Sequence, residues 1–120
     1  MTIEDLILVC VERNPREEDV HSLVTAIGGD VDHALGLVAL DVARRYMAGA
    51  LALGVCDAIM NAVFAYATGV LRRFPEPMYS VFLAFDEGEY HHSGDHAGII
   101  PEQKYTRSQL AEILRGEDAA

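Results

Sequence analysis

The chain has 120 residues, 51% of them hydrophobic, enough for one domain that covers roughly two-thirds of its unfolded surface, which excludes a wholly disordered chain. Its 19 acidic and 9 basic residues give a formal charge of −10, a field that repels phosphate backbones and anionic lipid headgroups. Nucleic acid and membrane surfaces are therefore poor expected partners, and a basic protein is the favoured one.

Thr2 is placed to cap a first helix, with Glu4 and Asp5 in the first turn, where the helix dipole favours negative charge. Ile3, Leu6, Ile7, Cys10 and Val11 follow at helical spacing until Asn14-Pro15. The same pair predicts a second helix, with Asn14 as cap, Pro15 at the first position, and Val20, Leu23, Val24 and Ile27 buried before Gly28-Gly29 ends it. His21 falls on its polar side. Asp30 is the expected cap of a third helix running toward Ala50, with His33 in its first turn packing on a neighbour. Leu35, Val38, Val42 and Tyr46 share a face of that helix, and Asp41 is spaced to pair with Arg44 or Arg45.

MAGALALGVCDAIMNAVFAYATGV, from Met47 to Val70, is the most apolar stretch. Its length invites a transmembrane reading, but Asp57 would then sit near mid-bilayer, at a cost of about 3 kcal/mol. The spacing favours the central helix of a soluble bundle, with a break near Gly54. Asp57, Asn61, Thr68 and Arg72 form a polar stripe, opposite Cys56, Ile59, Met60, Val63 and Leu71. Neither Cys10 nor Cys56 belongs to a zinc-type array, so both are expected to be buried free thiols. The acids of MTIEDLILVC stand where a secretory signal needs basic residues, which predicts a cytoplasmic protein.

Phe74-Pro75-Glu76-Pro77 must interrupt the helix. A fifth helix is expected from about Met78 to Glu87, burying Met78, Val81, Phe82 and Phe85, with a short strand as the alternative for YSVFLAF. Thr106-Arg107-Ser108-Gln109 has the form of a capping box, with Tyr105 and Leu110 as its hydrophobic staple. It predicts a last helix that ends at Gly116 and a frayed tail over 117–120. The fold class is all-α: a single domain, 1–116, of five to six helices in an orthogonal or bundle-like arrangement.

One connection stands out. The 18 residues from Gly88 to Tyr105 show weak periodicity, and loops of that length inside small domains are usually functional or disordered. Between Arg73 and Lys104 the chain carries Glu76, Asp86, Glu87, Glu89, Asp95 and Glu102 and no Lys or Arg. Their repulsion has to be relieved by solvent, a cation or a basic partner. Tyr90 and Tyr105 bracket this loop, with Ile99-Ile100 between them. They serve either as contact residues or as pins holding the loop to its own core. The candidate partner-binding set is Asp86, Glu87, Glu89, Tyr90, His91, His92, Asp95 and Tyr105.

Glu89, His91, His92, Asp95 and His96 are also ligand types for zinc, nickel, manganese or iron. Their spacing matches no HExxH, PCxxC or EF-hand pattern, and adjacent His91 and His92 point to opposite sides of an extended chain. No nucleophile elbow, phosphate-binding loop or dinucleotide fingerprint is present. The expectation is a non-enzymatic chain without a cofactor. A metal-binding or hydrolytic protein and a homo-oligomeric subunit built on the Ala/Gly-rich helices are the alternatives.

A small, strongly acidic, helical chain without catalytic motifs resembles, by size and charge, the bacterial immunity proteins that neutralise a toxin by covering its basic active site. That resemblance implies a cytoplasmic binding protein whose loop from Asp86 to Glu102 makes the principal contact with a basic partner.

Overall fold

In the computed structural model, which describes residues 1–119, helix α1 (Ile3–Glu12) starts as its sequence predicts. The Thr2 hydroxyl accepts from the Asp5 amide at 3.1 Å, and the Asp5 carboxylate accepts from the Thr2 amide at 2.8 Å. Five further helices follow: α2 (Glu17–Ile27), α3 (Val31–Met47), α4 (Leu53–Tyr66), α5 (Met78–Glu87) and α6 (Ser108–Ala119). A π-helical segment, Ala67–Leu71, extends α4, and a second, Glu102–Arg107, leads into α6. The result is a single all-α domain, 72% helical, with no strand among the described residues.

α2 and α3 meet at 89°, so the arrangement is orthogonal at that corner. The hub is α3, which touches each of the other five helices; the apolar α4, expected at the centre, packs mainly on α1, α3 and α5. Leu6, Leu23, Leu35, Ile59, Met60 and Phe85 are fully buried where these helices meet. Each contributes roughly 1.5–3 kcal/mol of transfer free energy. Tyr46 of α3 meets Phe85 edge to face, ring centroids 5.3 Å apart. Leu53–Leu71 has the length and mean hydropathy, 1.4, of a membrane span. Its Cys56, Ile59, Met60 and Val63 side is covered by neighbouring helices.

Several local expectations are corrected. α2 begins at Glu17 with Arg16 as its cap, not at Pro15. The reason is Asp19, 9% exposed, which accepts from the Arg16 amide at 2.8 Å and from both terminal guanidinium nitrogens of Arg13 at 2.8 and 3.3 Å. Ile27 is exposed rather than buried. Asp30 caps α3 through the His33 amide as predicted, but the His33 side chain stays exposed and α3 stops at Met47. Asp41 pairs with Arg45 at 3.0 Å, while Arg44 reaches Asp118 at 3.3 Å.

The Thr106 capping box does not form. Thr106 lies inside the π-helical segment, fully buried, and donates to the Ala84 carbonyl at 2.7 Å, while Gln109 donates to Glu87 at 2.7 Å. The side chains that would have capped each other hold the end of α5 instead. The last helix passes Gly116 and continues to Ala119, so residues 117–119 of the expected tail are helical; Ala120 lies outside the described residues.

Candidate functional site

Because helical winding resumes at Glu102, the loop after α5 is shorter than its sequence implied, and it is tied down by its own polar groups. Asp95 accepts from the Lys104 ammonium and from the Tyr105 hydroxyl, and these two donors, Lys104 first, hold its carboxyl below the usual carboxylate range. Glu102 accepts from the Tyr46 hydroxyl, anchoring the start of the last helix to α3. Burial and this carboxylate push the Tyr46 phenol up to about 12. Asp95 and Glu102 are thus structural acids, and the stretch that looked uncompensated draws one cation from Lys104, just past its boundary.

His91 is exposed, whereas His92 Nε2 lies 2.8 Å from the Glu87 carbonyl, a contact that fits an Nε2–H donor. The His92 ring is sandwiched, with Tyr105 at 3.8 Å and Tyr90 at 4.4 Å between centroids. Of the two tyrosines, Tyr105 pins the loop, and Tyr90 is the outer ring of the stack, 52% exposed. Ile100 is similarly bare, at 53%. His96 accepts from the Gly98 amide at 3.0 Å and points to solvent.

Of the predicted residues, the structure therefore gathers Tyr90, His92 and Tyr105 into one stack, with Asp95 hydrogen-bonded to Tyr105, and leaves His91 and His96 outside it. Among the described residues no three His, Cys, Asp or Glu side chains are placed to hold one metal ion. Asp86, Glu87 and Glu89 have no ion-pair partner among the described residues.

Sequence reasoning missed Asp57. Instead of lining a solvated stripe it is 7% exposed; one oxygen accepts from Asn61 at 2.9 Å, and the other is buried without a partner. Glu89 comes down beside it from the loop. Partial desolvation, and then the Asp57 charge, raise the Glu89 carboxyl above its usual range. The only sequence signal was a lone acid inside an apolar stretch.

The sign of the pH effect follows. Glu89 has a folded-state pKa above its unfolded value, so its contribution to stability is complete below the unfolded value and is lost as pH rises through the folded one. Asp57→Asn removes the charge and offers Glu89 an amide donor. The expected result is a Glu89 carboxyl that titrates lower than in the parent by carbon-detected NMR, with less loss of stability as pH rises through the parent's Glu89 titration. An unchanged Glu89 titration would mean that the two carboxyls do not interact.

Searches of protein-family models, curated proteins and solved structures find no match to this chain.

Proposed function

We propose that the chain is a protein-binding module of the immunity type, which docks a basic partner protein on the outer rim of the loop after α5. The observation that carries the reading is the stack Tyr90–His92–Tyr105, which presents a half-exposed tyrosine close in the chain to acids, Asp86 and Glu89, that have no ion-pair partner among the described residues. A pre-ordered aromatic ring gives contact area at low entropic cost, and the carboxylates supply steering and charge matching. Asp95 and Tyr105 act from behind as supports. The toxin-neutralising part of the proposal rests on size and charge, and the cytoplasm is the proposed compartment.

The variant that tests the reading changes Asp86→Asn, Glu89→Gln and Tyr90→Ser and leaves Asp95 and Tyr105 intact. A protein that co-purifies with the unmodified chain from its host at low salt should be retained at least about tenfold less well, since a central tyrosine alone is worth about 2 kcal/mol in many interfaces. A partner retained equally by both forms would remove the loop from the interface.

A further inference from the structure

On α5 and α6, away from Tyr90, three surface depressions join end to end. The first, of about 300 Å³, is lined by Ser80, Leu83, Glu87, Gln109, Glu112 and Ile113. The second, of about 340 Å³, shares Ser80, Glu112 and Ile113 with it and adds Glu76, Pro77, Gly116 and Glu117. A third, of about 200 Å³, shares Glu76, Pro77 and Glu117 with the second and reaches Leu37 and Leu40 of α3. The α6 residues that line the first two, Gln109, then Glu112 with Ile113, then Gly116 with Glu117, recur once per helical turn. The trough therefore runs along the α6 axis with openings about 5.4 Å apart.

Its chemistry is two-sided. Leu83, Ile113, Pro77, Leu37 and Leu40 supply an apolar floor, while Asp32, Glu76, Glu87, Glu112 and Glu117 stand along it with no Lys or Arg among the lining residues. Of these acids, Asp32 alone has an ion-pair partner among the described residues, Arg73. Glu87 and Glu76 are oriented by the neutral groups of Gln109 and Ser80, which fix their carboxylates and leave the charge in place.

Gly116 is an independent indication. It sits inside a helix, where glycine costs roughly 1 kcal/mol relative to alanine, yet a Cβ added there would meet nothing within 4 Å. No packing among the described residues calls for it, and it leaves open space beside the α6 backbone at the middle of the trough.

We propose that this trough seats the apolar face of a basic amphipathic helix belonging to a protein partner. Apolar residues of such a helix at i, i+3 or i+4 and i+7 enter successive openings, and its Lys and Arg residues meet the carboxylates on either side. Asp86, Glu89 and Tyr90 are not among its lining residues, so the proposal does not depend on the rim reading.

The test uses a fluorescein-labelled helical peptide of Leu and Lys with leucines at that spacing, followed by fluorescence anisotropy at low salt and by amide NMR. Two control peptides accompany it, one of the same composition in scrambled order and one with Glu in place of Lys. Binding is expected for the amphipathic basic peptide alone, with the largest shifts at Leu83, Glu112, Ile113 and Gly116. Gly116→Leu should leave the fold intact, because the space is empty, and weaken binding at least about tenfold. Leu83→Ser and the pair Glu112→Gln with Glu117→Gln should do the same, whereas the Asp86, Glu89 and Tyr90 variant should bind normally.

The inference is overturned by equal binding of the scrambled peptide, by shifts confined to the loop, by full binding to Gly116→Leu, or by the absence of any binding. It is also overturned if light scattering shows a dimer whose dissociation uncovers these same residues. Failure here with a loop-dependent partner still in hand leaves the rim reading standing, and the reverse result separates the two equally.

Discussion

Replacing Gly88 with alanine should destabilise the domain by about 3 kcal/mol, a large part of the total for a chain of this size. The new Cβ would overlap the buried Thr106 hydroxyl and lie 3.3 Å from the Glu102 backbone, so a main-chain segment, not just a side-chain tip, has to move. Overpacking of this kind costs roughly 1–3 kcal/mol, and displacing Thr106 also breaks its 2.7 Å bond to the Ala84 carbonyl, worth about 1 kcal/mol more. The midpoint of thermal unfolding should fall by about 10 °C. Thr106→Ala removes the overlapping oxygen, so the double variant should be less destabilised than the two single effects added together, by about 1 kcal/mol or more. Strict additivity in urea titrations would show that the close approach of the last helix to the end of α5 is not what Gly88 is for.

Asp19→Ala should cost about 2 kcal/mol at neutral pH. It removes a carboxylate, 9% exposed, that joins the end of α1 to the start of α2 by accepting from Arg13 and from the Arg16 amide. Arg13 is 39% exposed, so solvent screening keeps the figure below that of a fully buried pair. The hydrogen bond from Arg13, and secondarily the Arg16 amide, hold the Asp19 carboxyl below its usual range. Its folded-state pKa is thus below the unfolded one, and the stability it gives is present above the unfolded value and lost as pH falls through the folded value. Urea unfolding of the parent and the variant should differ clearly at pH 7 and converge in strong acid. A gap that persists unchanged at acid pH would mean that the loss comes from packing and not from the charge.

The contrast between Thr2 and Thr106 shows what could be read from the sequence. Both begin a polar pattern that suits a helix start, and at Thr2 nothing competes for the hydroxyl, so the local rule decides. At Thr106 the Ala84 carbonyl lies within reach from 22 residues away, and a buried acceptor outweighs a cap that water could replace. The α5 helix was legible because proline and a 3.6-residue apolar period agree over Met78–Glu87. Asp57 and Glu89 were not, since a carboxyl pair assembled from a helix and a distant loop leaves no periodic trace. The same holds for Lys104 with Asp95, where an acidic count stopped one residue short of the cation that balances it. The trough along α6 is the extreme case: α3, α5 and α6 each read as ordinary amphipathic sequence, and only their packing lines up Leu83, Ile113 and Leu40.

The two cysteines have a consequence for how opening of the fold can be followed. Cys10 of α1 and Cys56 of α4 are both buried, and burial pushes each thiol up to about 12. The thiolate is thereby suppressed while the domain is closed, against a few per cent ionised at neutral pH for an exposed cysteine. Alkylation is gated by exposure, and the modified peptide records which helix was released. The chain thus carries two chemical clocks in adjoining helices, one for the detachment of α1 and one for the uncovering of α4.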